Sequence, residues 1–206
     1  MARPLAWGAL ILREGRALTW PALRIPSSFN REYRHGQELY TRTNQKLYFA
    51  GLALEAWKRA DAERAMNAQA IIQGERESAL FHLYGAVLGV CHEIAGYYRL
   101  PQAAAPRVDA LLNAEVLAAA PSPELAELVE LASQPETWLG QLLGAYSELF
   151  LPPRPTKAAK IDPSTPLIVA VSIDEEAPLL SRETLEEWRQ SLKQLVLRFR
   201  ESLTEL

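Results

Sequence analysis

Apolar residues recur at helical spacing through most of this chain, and strand-like patterning is nearly absent. A first long helix is predicted over residues 37–60 and a second over 66–99, where Pro101 ends it because proline disfavours helical geometry in the preceding residue. Shorter helices are predicted at 107–119, 123–133 and 135–150, each with a proline at or next to its first turn. The pattern therefore predicts an all-α fold, a helical bundle around a long central helix pair.

The C-terminal part divides into a linker and a last helix. Residues 151–166 hold five of the 14 prolines, and 167–171 form a short apolar run expected to be extended. A final amphipathic helix is predicted from Ser181 to the end. Its apolar positions share one helical stripe: Leu185, Trp188, Leu192, Leu195 and Phe199. We therefore expect a helical bundle at 37–150, a proline-rich linker at 151–180, and a helix at 181–206 that packs on the bundle.

The first 36 residues differ from the rest in composition. They contain six arginines and two glutamates, a net charge of +4, whereas the whole chain carries −3. Trp7 and Trp20 occur there without helical or strand periodicity. We expect residues 1–36 to be an N-terminal extension outside the core.

Composition excludes several broad classes. Hydrophobic residues make up 49% of 206 residues, enough for a sizeable core, and the mildly acidic charge does not favour a nucleic-acid partner. The single cysteine, Cys91, lies in an apolar run and is expected to be a buried thiol in a reducing compartment. The longest apolar run falls short of the roughly 18 to 20 residues of a membrane span. We expect a cytoplasmic protein with no membrane association and no cofactor.

One strip of the second helix lacks large apolar side chains. Its neighbouring positions carry Leu, Phe, Val, Ile and Tyr, so a second helix or a ligand is expected close to the strip. On the first helix, four residues at helical spacing are the candidates to face it: Asn44, Tyr48, Gly51 and Glu55. The strip, called the seam below, consists of Glu75, Ser78, His82, Gly85, Gly89, His92 and Gly96.

The two seam histidines do not form a metal site together. His82 and His92 are ten residues apart, which is about 15 Å along a straight helix. One ion with bonds near 2 Å cannot bridge that distance. The sequence therefore predicts no metal centre, and each histidine is expected to be hydrogen-bonded inside the bundle. A small-ligand or metal-binding bundle using His82, Glu75 and the first helix stays open as an alternative.

The segment Arg76-Glu-Ser-Ala-Leu-Phe-His82 resembles the Arg-x(4–6)-His signature of HEPN ribonucleases, which are helical bundles that often act as dimers. The resemblance implies that Arg76 and His82 orient and stabilise the scissile phosphate, with Glu77 in support. Six residues turn a regular helix by about 240°, so the two side chains diverge unless the helix is distorted. With that condition, a HEPN-like ribonuclease is the enzymatic alternative.

A longer resemblance involves residues 40–57, YTRTNQKLYFAGLALEAW, with the later strings ERESALFHLYG, CHEIAGYYRLP, SPELAELVELA and LKQLVLRFRESL. These are similar to a family of small uncharacterised helical proteins from pseudomonad-type bacteria, over roughly residues 38–206. The family has no assigned activity, so the resemblance implies a bacterial cytoplasmic setting. Because no convergent catalytic set is visible, the sequence favours a non-enzymatic interaction or regulatory module. Its partner would be an unidentified protein or a second copy of the chain.

Overall fold

The computed structural model describes residues 27–152 and 180–204, with side chains for residues 38–152 and 180–203. These residues form helices and loops without a strand, which confirms the predicted all-α helical bundle. A 3₁₀ turn at Val108–Ala110 precedes the third helix. The helices are α1 (Ser27–Glu63), α2 (Ala68–Tyr97), α3 (Ala114–Ala119), α4 (Pro123–Ser133), α5 (Trp138–Glu148) and α6 (Arg182–Thr204).

Helices α1 and α2 form a long antiparallel hairpin. The turn between them is tight, and Arg64 adopts a positive φ of 49° there. Helix α2 lies at the centre, in contact with α1, α4, α5 and α6. The antiparallel register is defined by four facing pairs: Leu39 with Gly96, Thr43 with Gly89, Lys46 with Gly85, and Phe49 with His82.

Helix α6 returns across the hairpin and packs on α1, α2 and α5. Its predicted apolar stripe is buried along the whole helix, from Leu185 to Leu203. Ser181 caps the first turn, where its hydroxyl accepts a hydrogen bond from the Thr184 backbone N–H at 3.1 Å. A helix with one continuous apolar stripe is stabilised mainly by that burial, so α6 is part of the core.

Several predicted boundaries were wrong in detail. Helix α1 already includes Ser27, ten residues before the predicted start, since a single interior glycine such as Gly36 costs a helix only about 1 kcal/mol. The helix predicted at 107–119 is instead the 3₁₀ turn followed by α3, whose N-cap is Asn113. Helix α5 begins after Thr137, whose hydroxyl accepts from the Gly140 N–H at 3.0 Å, and not at Pro135.

Two of the predicted segments lie outside the described residues. They are residues 1–26 of the N-terminal extension predicted at 1–36, whose residues 27–36 belong to α1, and residues 153–179 of the linker predicted at 151–180, with the apolar run at 167–171.

Helix α2 is long and apolar enough, by length and composition alone, to cross a membrane. However, 72% of its most apolar 18-residue stretch is buried inside the fold. The central helix of a bundle has the same properties, because partner helices cover it on most sides.

Candidate functional site

The glycines of the seam allow α1 and α2 to approach closely. The tightest point is Gly89, where an added Cβ would lie 2.5 Å from Thr43 Oγ1 and 3.3 Å from Thr43 Cα. A Cβ added at Gly85 would lie 3.1 Å from the flexible methylenes of Lys46. A Cβ added at Gly96 would lie 3.4 Å from Leu39, which is an ordinary van der Waals contact. A helix backbone therefore fills this part of the seam, and Gly89 is its most crowded position.

Three of the four α1 residues expected to face the seam lie elsewhere, and only Glu55 lies beside seam residues. A Cβ added at Gly51 would lie 3.2 Å from the Arg189 guanidinium of α6, and the Asn44 side-chain oxygen accepts a hydrogen bond from Arg200 of α6 at 2.9 Å. Tyr48 is 62% exposed. Glu55 lines a surface groove together with the seam residues Glu75 and His82. The physical reason is that α6 occupies one side of α1, which turns Leu39, Thr43, Lys46 and Phe49 toward α2 instead.

The two seam histidines have different environments. His92 is buried, and its Nε2 lies 2.7 Å from the Ala105 carbonyl oxygen, a hydrogen bond that ties α2 to the following loop. His82 is half-buried, and its ring packs against Phe49 at 5.3 Å and Phe81 at 5.4 Å between centroids. Burial, and then the nearby Lys46 charge, lower the pKa of His82 below its ordinary value. The imidazole is therefore neutral at pH 7, and its buried Nδ1 has no hydrogen-bond partner among the described residues.

A groove of about 550 Å³ runs between the solvent sides of α1 and α2. It brings together the first part of the seam, Glu75, Ser78 and His82, with the side chains of α1. On the α1 side its lining is Phe49, Leu52, Ala53, Glu55, Ala56 and Arg59.

Exposed apolar side chains flank this groove. Leu52 is 48% exposed, Phe81 is 49% exposed, and Tyr48 lies next to Phe49 with ring centroids 6.2 Å apart. The Lys46 ammonium sits 5.0 Å from the centroid of the Phe81 ring. An exposed group of aromatic and aliphatic residues rimmed by charge is typical of an interaction surface. We call this surface the hairpin outer face, and it comprises Lys46, Tyr48, Phe49, Leu52, Glu55, Glu75, Phe81 and His82.

The three candidate catalytic residues do not converge. Arg76 Nε donates to the Leu180 carbonyl oxygen at 3.1 Å, and its guanidinium lies 4.8 Å from the Trp57 ring centroid. Arg76 thus points toward α6, whereas His82 lies in the groove on the other side. Glu77 is exposed and accepts a hydrogen bond from the Gln73 side chain at 2.6 Å. The contacts of Arg76 and His82 therefore direct the two side chains to different neighbours.

A buried ionic network holds α6 against the hairpin, and sequence reasoning missed it. Arg200 Nε and Nη2 donate to the two carboxylate oxygens of Glu93 at 2.9 and 2.8 Å. Thr43 donates to the same carboxylate, and the Arg200 guanidinium lies 4.6 Å from the Tyr40 ring centroid. Buried charges need this kind of pairing, since an isolated one would shift its pKa or unfold the site. The signal available in the sequence was Glu93 itself, a carboxylate inside an apolar helix.

A second buried carboxylate, Glu124, lies in the first turn of α4. It accepts hydrogen bonds from Tyr98 at 2.9 Å and from Ser202 of α6 at 2.7 Å. Burial acts to raise the pKa of Glu124, but the hydrogen bonds from Ser202, its own backbone N–H and Tyr98 outweigh it and lower that pKa. Burial first, and then the bond to Glu124, raise the pKa of Tyr98 to about 12. Glu124 is thus an ionised acceptor that joins α2, α4 and α6.

The other side chains with possible chemistry have structural roles in the described part of the chain. No group of three His, Cys, Asp or Glu side chains could hold a metal ion within the described ranges. Cys91 is fully buried, and burial raises its thiol pKa to about 12. A second cleft, of about 620 Å³, contains Tyr84 stacked on Tyr146 at 3.8 Å, and the Tyr84 hydroxyl accepts from the Val108 N–H at 3.1 Å. The stack joins α2 to α5, and the hydrogen bond ties the turn before α3 to α2.

Comparison with known proteins places the chain in a family. A family model described as a family of unknown function, DUF6586, matches residues 38–206, so the chain belongs to that family. Neither the curated proteins nor the solved structures gave a match.

Proposed function

We propose that this DUF6586 protein is a non-enzymatic interaction module, and that its hairpin outer face binds a protein partner. The observation that carries the proposal is the exposed apolar group on this face. Tyr48, Leu52 and Phe81 stay open to solvent at a groove of about 550 Å³ between two helices. Amphipathic helices bind such grooves by inserting apolar side chains at helical spacing.

The distribution of polar chemistry also supports an interaction role over catalysis. The buried carboxylates, Glu93 and Glu124, already accept hydrogen bonds from neighbouring helices. His82 faces the groove, while Arg76 is directed to Leu180 and Trp57. The HEPN-like alternative requires both groups at one phosphate, and this divergence argues against it. We extend the proposal to a cytoplasmic setting in a bacterium, which the single buried cysteine fits.

Site-specific photo-crosslinking in living cells tests the proposal. A photoreactive benzoylphenylalanine replaces Phe81 on the hairpin outer face, and in a matched control it replaces Leu197, which is 46% exposed on α6. Both positions are exposed, so neither replacement disturbs the core. We expect a discrete protein adduct at position 81 and none at position 197.

The adduct is then identified by mass spectrometry, and its binding is reconstituted with the purified partner. Leu52→Glu should abolish this binding, and Leu197→Glu should leave it intact. Equal crosslinking at the two positions would contradict the proposal. So would cleavage of RNA by the purified chain that is lost in both Arg76→Ala and His82→Ala, since that result identifies a nuclease.

A further inference from the structure

The hairpin outer face carries opposite charges at its two ends. Lys46 lies at one end, with its ammonium over the Phe81 ring. Glu55 and Glu75 line the groove at the other end, about 13 Å away along α1 from Lys46 to Glu55. Arg59 also lines that end and leaves it with one net negative charge. The surface therefore has a positive end and a negative end, with apolar side chains between them.

We infer that the partner bound by this face is a second copy of the same chain, related by a two-fold axis through the apolar centre. The inference rests on the proposed function and specifies its partner. A two-fold interface requires a self-complementary surface, in which residue i contacts j and j contacts i. When the second hairpin is reversed, Lys46 of each copy lies beside the Glu55 and Glu75 end of the other copy. A parallel arrangement would instead place like charges together.

The apolar centre fits the same arrangement. Leu52, Phe81 and Tyr48 lie between the charged ends, so the two-fold axis places each copy's apolar group on the other's. Two hairpins that meet in this way form a four-helix arrangement with a shared apolar interface, as in helix bundles. Charge complementarity across the rim then fixes the antiparallel direction.

The test measures the mass of the full-length chain in solution by sedimentation equilibrium, for the parent and for charge-reversed variants. The parent is expected at twice the 23.0 kDa chain mass. Lys46→Glu creates repulsion against Glu75 of the other copy, and Glu75→Lys creates repulsion against Lys46. Each single variant should weaken self-association by roughly tenfold or more, because two symmetric contacts are lost at once.

Mixing the two variants gives the decisive measurement. A Lys46→Glu chain and a Glu75→Lys chain have complementary rims only when paired with each other, so the equimolar mixture should recover the mass of a dimer. The matched control is Lys193→Glu, an exposed reversal on α6, which should leave the parent's mass unchanged. Circular dichroism of each variant verifies that the helices are intact.

The possible results separate this inference from the proposed function. A parent chain that stays monomeric, with a crosslink from position 81 to a different protein, overturns the second-copy inference and leaves the interaction module in place. A monomeric parent without a specific crosslink overturns both. A parent dimer that neither single reversal weakens places the dimer interface elsewhere and also overturns the inference.

Discussion

The guanidinium of Arg200 and the carboxylate of Glu93 form a two-pronged ion pair across 107 residues of chain, with N–O distances of 2.8 and 2.9 Å. The Glu93 side chain is only 3% exposed, so its charge depends on this partner and on Thr43. The pair joins the last helix to the centre of the bundle. Removal of either member leaves the other without its charge partner inside the fold.

We therefore expect Arg200→Ala to destabilise the protein by about 3 to 5 kcal/mol, because it leaves an unpaired carboxylate in the core. Arg198→Ala is the matched control, since Arg198 pairs with Glu127 at the surface and such pairs contribute about 0 to 1 kcal/mol. Urea denaturation of the two variants measures the difference. Equal losses would mean that Glu93 regains water when its partner is removed.

Glycine positions on α2 should differ sharply in their tolerance of a methyl group. Gly89→Ala forces the new Cβ onto the Thr43 side chain and backbone, at a cost of about 1 to 3 kcal/mol. Gly74→Ala meets nothing within 4 Å and gains helix propensity, up to about 1 kcal/mol. Gly85→Ala should lie between them, since the Lys46 chain can move aside. Urea midpoints of the three variants give the order, and a Gly89→Ala midpoint at or above the parent's would contradict the close crossing.

Helix α6 should behave as part of the core. Trp188 is buried in its stripe, so Trp188→Ala should cost about 3 to 5 kcal/mol. Leu197→Ala, on the exposed side of the same helix, should change stability by less than about 0.5 kcal/mol. Chemical denaturation followed by circular dichroism measures both. A small effect at Trp188 would show that α6 is loosely attached in solution.

Stability should depend on pH through Glu124. Its pKa is lower in the folded protein than the unfolded value of about 4.3, so its contribution is fully present above that value. The contribution is lost as pH falls through the lower folded pKa. We expect the parent to be more stable than Glu124→Gln at pH 7 and the difference to shrink steadily below about pH 5. Denaturation of both proteins at several pH values tests this, and a constant difference down to about pH 3 would refute it.

The sequence by itself determined the helical class and the inward side of α6. Both follow from local periodicity, because apolar residues every three or four positions specify a helix and the face it buries. Leu185, Leu192 and Phe199 could therefore be assigned to the core without any knowledge of their partners. Capping was readable for the same reason at Ser181, whose hydroxyl bonds a backbone N–H three residues away.

Only the tertiary structure decided which side of α1 meets the seam. Gly51 and Thr43 are both small enough for a close helix crossing. Because α6 docks on α1, Gly51 lies opposite Arg189, whereas Thr43 lies opposite Gly89. The pairing of Glu93 with Arg200 was equally out of reach, since no local rule links charges 107 residues apart. The seam itself was visible as an unusual strip, but only the structure shows that Gly85, Gly89 and Gly96 meet α1, whereas Glu75, Ser78 and His82 line a groove. That division is set by the long-range packing of three helices, and it is what leaves the hairpin outer face exposed.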